Sequence, residues 1–512
     1  MSEDQRDAIA FLKDPSSHGP GVHRVEVVET HASLVFIAGD LVFKLKRAVA
    51  YPYLDFSTAD LRRRACEAEL VLNRRTAPAL YEEVRGLFRR TDGAVSFSPN
   101  GEAVDWVVVM RRFDQALLFD ALAESDGLDR HIMDQLADHI AQFHASAEQR
   151  FDHSGAAEMA ELADVQYRCL AAPNRAGFRR DRVESILQKW QERVAVLTEL
   201  LDRRRATGKV RHCHGDLHLR NICLLDGKPT LFDCLEFDEA LATIDVLYDL
   251  AFLLMDLEHR GLGHFANRVF NRYLDRSEAD GGLAAMPLFL SLRAAIRAHV
   301  TATALEHAAD GVVGAKMACD AQRYLDLAHR FLQPQPCRLV AIGGLSGAGK
   351  STLAEGLAPE LGLRPGARVL RSDVTRKLLL GVDPEERLPA TAYTRETSAR
   401  VYDALCRKAA GGFAAGYTVI IDAVALTVEE RNSFAEVARA AAVPFSGLWL
   451  EARPEAMANR IRGRVRDASD ASPEILAEQL RHGTGKIDWL RIDAGGRPED
   501  CLAAVRRAVA AG

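Results

Sequence analysis

The run Gly344-Leu-Ser-Gly-Ala-Gly-Lys350-Ser351 restricts the fold more than any other stretch, because it matches G-x-x-x-x-G-K-[ST] at every fixed position. It follows the apolar, strand-like CRLVAIGG and leads into the helical pattern TLAEGLAPEL. A strand that ends in such a loop and restarts as a helix belongs to a parallel sheet with helices on its faces. The loop positions Gly344, Ser346, Gly347, Ala348 and Gly349 let backbone N–H groups curl round phosphate oxygens, and Thr352 carries the chain into the helix start. Lys350 is expected to reach the outer phosphates and Ser351 to coordinate Mg²⁺.

Three later stretches extend this site. ARVLRSDVTRKLL reads as a strand ending at Ser372-Asp373, with Arg376 one helical turn on. An acid at the carboxyl end of a parallel strand opens onto the ligand crevice, so Asp373 is a candidate base for an acceptor hydroxyl and Arg376 a candidate substrate anchor. The strand YTVIIDAVAL brings Asp422 to the same crevice, in reach of the metal or its water. Arg460 and Arg464 stand at i, i+4 in ANRIRGRVRDASDAS, which puts them on one helix face as candidate lid residues over a transferring phosphoryl group.

A second phosphate chemistry is written between His214 and Asp233, HGDLHLRNICLLDGKPTLFD. Asp216 follows His214 by two residues and Asn221 follows Asp216 by five, the spacing of a kinase catalytic loop. In that pattern the Asp accepts a substrate hydroxyl proton and the Asn holds a metal ion. The turn Asp226-Gly227-Lys228-Pro229 leads to a short apolar run ending at Asp233, so Asn221 and Asp233 lie on the two arms of one hairpin and can share a metal. Asp249, at i+4 from Asp245 on an apolar helix, reads as a cap or brace for this loop.

Upstream, VHRVEVVET, SLVFIAGD and LVFKLKRAV read as strands, with Ala38-Gly39-Asp40 as a hairpin turn. Lys44 and Lys46 alternate with Phe43 and Leu45 and therefore face one side. Such a lobe needs a strand lysine on the nucleotide phosphates, held by a glutamate from the next helix. The helical segment Thr58 to Arg75 carries Glu67 and Glu69; Lys44 with Glu67 is the preferred pair, and Lys46 and Glu69 stay open as the alternatives. EEVRGLFRR and AVDWVVVMRRF are two more strands, after which helices are expected at 118–123, 131–147 and 181–205 and onward to about Leu332. His139 and His144 fall on one of these helices as packed or surface residues.

At 512 residues the chain exceeds what one core supports. Pro334-Gln335-Pro336 divides it into a bilobal α+β domain over 1–333 and an α/β P-loop domain over 337–512. The first domain splits into an N-lobe at about 20–113 and a C-lobe at about 114–333. Nine scattered cysteines without a C-x-x-C pair, an acidic N-terminus and no run near roughly 20 apolar residues fit a cytoplasmic chain with no membrane span. A net charge of −6, without interleaved basic and aromatic residues, argues against a nucleic-acid partner.

On HGDLHLRN, LFDCLEF and IDVLYDLAFLL, the first domain resembles the aminoglycoside and choline-type phosphotransferases, relatives of protein kinases. The resemblance implies Asp216 as base, Asn221 and Asp233 as Mg²⁺ ligands and Lys44 as phosphate lysine. No glycine-rich loop stands in the first hairpin, where the chain reads Thr30-His31-Ala32-Ser33. Through GLSGAGKS, SDVTR, IIDA and the arginine-rich segment, the second domain is similar to small P-loop kinases of the gluconate kinase, zeta toxin and polynucleotide kinase group. Together these imply a bifunctional ATP- and Mg²⁺-dependent phosphotransferase acting on small-molecule hydroxyls. Two alternatives stay open: a P-loop half that regulates a single kinase domain, and a kinase of nucleic-acid 5′-hydroxyls.

Overall fold

The structure is a computed structural model that describes residues 4–30, 32–51, 54–308, 311–463 and 468–511. It separates into two compact units: one comprises the chain up to Met159 together with Leu201–Asp256, the other Ala160–Leu200 together with Leu257–Gly512.

The first unit is built on a six-stranded antiparallel sheet. Its strands are β1 (Val25–Glu29), β2 (Ser33–Ala38), β3 (Leu41–Lys46), β4 (Tyr81–Arg89), β5 (Val95–Ser96) and β6 (Glu102–Arg111), in the order β1-β2-β3-β6-β4-β5. Alternation along β3 sends Phe43 and Leu45 into a core with Phe36, Leu87, Val107, Val109 and Leu12 of the helix Arg6–Lys13. Lys44 and Lys46 therefore face the other side, toward helix α1 (Ala59–Asn73), which Thr58 caps and which packs on β4 and β6. Helix α2 (Arg130–Ser146) and the hairpin β7 (Ile222–Leu225)–β8 (Lys228–Leu231) complete the scaffold, with Ile222 opposite Leu231 in register. Helix α3 (Val246–His259) begins in this unit.

In the second unit, β9 (Leu339–Gly344), β10 (Arg368–Arg371), β11 (Val419–Asp422), β12 (Phe445–Glu451) and β13 (Leu490–Asp493) form a wholly parallel sheet in the order β10-β11-β9-β12-β13. Both faces are covered. Val340 and Ile342 pack with Leu353, Leu357 and Val505 on one side. Leu339 and Ala341 pack with Val401, Leu405 and Phe434 on the other. That two-sided burial is why β9 is apolar at every position rather than alternating.

The edge strand β10 is covered by helix α4 (Gly263–Ser277), inside the same unit. Asn271 accepts from Val369 N–H at 2.7 Å and donates to Ala367 O at 3.1 Å, standing in for the missing neighbour strand. Arg368, 1% exposed, meets Asp275 at 2.6 Å and Asp280 at 2.7 Å. Helices of the sequence-defined C-lobe thus form part of the P-loop unit.

The helix Ala156–Ala171 was not among the expected elements; its buried positions include Ala156, Ala163 and Met159, and small alanines make a weak apolar stripe. Ala279–Glu306 is long and apolar enough to cross a membrane, and 72% of its apolar window is buried inside the protein. Its apolarity serves the core.

Candidate functional site

The hairpin β7–β8 sets Asn221 just before its first strand and Asp233 two residues past its second, and Phe232 N–H bonds Asn221 O at 3.0 Å. Asn221 Nδ2 donates to Asp216 Oδ2 at 2.8 Å and to Asp216 O at 2.9 Å, which orients both side chains at one end of the hairpin. His218 Nε2 lies 3.3 Å from the same Asp216 oxygen. Asp233 has a φ of +60°, a conformation few non-glycine residues adopt, and its N–H donates to Tyr81 Oη at 3.2 Å. From there its carboxylate takes a 2.6 Å contact from Lys44.

Lys44 does not pair with Glu67 as expected. It donates to Glu69 at 2.8 Å, while Glu67 sits on the exposed face of α1 and bonds Arg63. The packing of α1 on β6 turns Glu69 inward to complete burial, and two residues along a helix is about half a turn. Burial opposes the Lys44 charge, but the carboxylates of Asp233, Glu69 and Glu236 outweigh it and hold the ammonium well above the usual lysine range. Burial also opposes the Glu69 charge, and Lys44 and Lys46 overcome it, holding that carboxyl down to about 2. Lys46 contacts Glu69 at 2.5 Å and also bonds Glu236, which stood unassigned inside LFDCLEF.

Asp249 braces the loop that carries His214 to Asn221. Completely buried on α3, it accepts from His214 N–H at 3.1 Å, Gly215 N–H at 3.0 Å and His144 Nε2 at 3.0 Å. His144, Cys213 and Asp249 bring potential ligand atoms within 4.8 Å of one another, but both Asp249 oxygens serve the loop amides. His139 packs against the hairpin, its Nδ1 2.9 Å from Pro229 O.

In the second unit the loop after β9 surrounds a cavity of about 1410 Å³. Ser346 to Thr352 line it, with Arg371, Asp373, Arg376, Asp422 and Arg460. Gly344 ends β9, and Gly347 runs so close to the neighbouring backbone that a Cβ would lie 2.5 Å from Met457 O. Ser351 Oγ donates to Asp422 Oδ2 at 2.6 Å, and Lys350 Nζ donates to Gly344 O at 2.9 Å. Burial pushes the Asp373 carboxyl above its ordinary value, against the Arg371 charge and a hydrogen bond from Ser469. Arg376 lines the cavity while donating to Ala392 O at 3.2 Å and Ser398 Oγ at 3.3 Å and lying over the Tyr393 ring.

Of the two arginines expected over the site, the structure describes Arg460. Arg460 lies on the helix Pro454–Arg462 and donates to Ala494 O at 2.7 Å and Ala348 O at 3.4 Å, beside the loop. That helix ends at Arg462, with Gly463 as its cap; Arg464, the other expected lid residue, lies outside the described residues, as does His31. Gln479, which no motif marks, accepts from Ser346 N–H at 2.9 Å.

The residues suit Mg²⁺ and a nucleotide. Asn221 with Asp233, and Ser351 with Asp422, offer the hard oxygen donors that Mg²⁺ takes. The glycine loop leaves room against its neighbours only where a side chain is missing.

Residues 97–288 match the phosphotransferase enzyme family and residues 339–484 match an AAA domain. The proteins Rv2004c of Mycobacterium tuberculosis (strain ATCC 25618 / H37Rv) and Mb2027c of Mycobacterium bovis are each 31% identical over 485 residues, 93% of this chain and 93% of theirs. Among solved structures, a choline/ethanolamine kinase family protein from Mesorhizobium loti is 14% identical, covering 64% of this chain and 99% of that one, with a TM-score of 0.38. A gluconokinase from Sinorhizobium meliloti 1021 is 19% identical, covering 34% and 95%, with a TM-score of 0.25. The chain belongs to the family of the mycobacterial protein Rv2004c, and carries a phosphotransferase-family domain followed by a P-loop kinase domain.

Proposed function

We propose that this protein is a bifunctional phosphotransferase, each unit moving the γ-phosphoryl group of Mg-ATP to a small-molecule hydroxyl. One observation supports it above the others: each unit gathers a lysine, oxygen-donor side chains suited to a metal and a separate carboxylate suited to a base. A sensor of nucleotide has no use for that last group.

In the first unit Asp216 takes the proton from the acceptor hydroxyl, and Asn221 holds its carboxylate in position. Lys44, fixed by Glu69, binds phosphate oxygens. Asn221 and Asp233 would hold Mg²⁺, which when bound neutralises phosphate charge. In the second unit Lys350 and the loop amides bind the phosphates, with Ser351 and Asp422 for the cation. Asp373, its proton affinity raised by burial, takes the acceptor proton, and Arg376 and Arg460 line the chamber as neutralising charges. The chamber exceeds the roughly 300–1,000 Å³ of a single small-ligand pocket, room for nucleotide and acceptor together.

The test is transfer of label from γ-labelled ATP to a mixture of small hydroxyl metabolites. The full chain, Asp216→Asn and Lys350→Ala should each label a different set of products, with the double variant silent. Identical product sets in all four would refute the reading.

A further inference from the structure

A second lysine and a second glutamate are buried beside the nucleotide lysine of the first unit, and no phosphate chemistry requires them. Lys46 is 1% exposed and Glu69 completely buried, and the Glu236 side chain is 9% exposed. Glu69 is shared, with Lys44 at 2.8 Å on one oxygen and Lys46 at 2.5 Å on the other. Each lysine then holds one residue of the same short segment: Lys44 holds Asp233 and Lys46 holds Glu236. The cluster thus contains two cations and three carboxylates.

We propose that Glu236 is a positioning residue that neutralises Lys46 and so leaves the Asp233 carboxylate available to a divalent cation. The reason is charge balance. When Asp233 turns its charge to a cation, Lys44 and Lys46 remain matched by Glu69 and Glu236. Without Glu236, two lysines share Glu69 alone, and Asp233 becomes the only further carboxylate in the cluster to balance them. An isolated buried charge is costly, so the lysines would hold Asp233 and the cation would lose it. The same bond also pins Glu236 three residues past Asp233, whose left-handed φ needs support from both sides. This inference rests on the first unit being an Mg-ATP site.

The experiment uses the full chain with Lys350→Ala, so that ATP binding reports on the first unit. Calorimetry measures ATP affinity in EDTA and across a Mg²⁺ titration. In the parent, Mg²⁺ should tighten ATP binding. Glu236→Gln should raise the Mg²⁺ midpoint by roughly tenfold or more, the scale of one added neighbouring charge on an ionic equilibrium, while ATP affinity in EDTA is unchanged or higher. The neutral pair Lys46→Met with Glu236→Gln should return the midpoint to the parent value, which no general loss of packing would do. The pair also serves if Glu236→Gln alone does not fold: its midpoint must then equal the parent's, and a midpoint shifted tenfold would overturn the proposal. An unchanged midpoint in a folded Glu236→Gln overturns this inference alone. A parent in which Mg²⁺ has no effect on ATP binding overturns the reading of the site, and this inference with it.

Discussion

Replacing Asp249 by Asn tests the brace beneath the loop from His214 to Asn221. Two carboxylate oxygens receive three donors there: His214 N–H, Gly215 N–H and His144 Nε2. An Asn can keep its oxygen toward His214 and His144, but its amide then points N–H at the Gly215 N–H. One buried amide without a partner costs ~1–3 kcal/mol. The two surviving bonds change from charge-assisted to neutral and lose roughly half their strength, about 1 kcal/mol each. The sum is about 4 kcal/mol, felt first as local opening of the loop rather than global unfolding. Hydrogen exchange followed by mass spectrometry measures it directly. A peptide spanning 212–217 should lose roughly three decades of protection, about 1.4 kcal/mol per decade, while a peptide spanning 339–344 in the other unit keeps its own. Protection of the loop unchanged within about threefold would refute the brace.

Glu69→Gln should weaken ATP binding in the first unit by tenfold or more and Glu67→Gln by less than about twofold, since a surface pair is worth ~0–1 kcal/mol; titration calorimetry in a Lys350→Ala background reads both. Because Glu69 is held down to about 2, its contribution to stability is present above the ordinary glutamate range and is lost as pH falls through about 2. Acid unfolding followed by circular dichroism should show the gap between the protein and Glu69→Gln closing over that window, and a gap that widens on acidification is the wrong sign. Arg368→Met should destabilise the second unit by about 3 kcal/mol, as breaking a buried ion pair does. Arg276→Met, which removes a partly exposed pair to Asp383, should cost under about 1 kcal/mol. Urea unfolding monitored at Trp449 and Trp489 distinguishes the two, and equal losses would contradict the role given to Arg368.

What the sequence determined by itself was local. Gly344 to Ser351, His214 to Asn221 and the alternation of Lys44 and Lys46 with Phe43 and Leu45 are short-range patterns, and backbone geometry alone converts each into a loop, a hairpin or a strand face. Tertiary structure decided what lies across space from them. Glu69 rather than Glu67 meets Lys44 because packing on the sheet sets the rotation of α1, and both residues read alike in a helical pattern. Asn271 and Arg368 join a helix to an edge strand about a hundred residues away, and Gln479 reaches a loop amide 133 residues away. No local rule encodes such partners, because a buried charge or an unpaired amide specifies only that something must satisfy it, and the fold selects what.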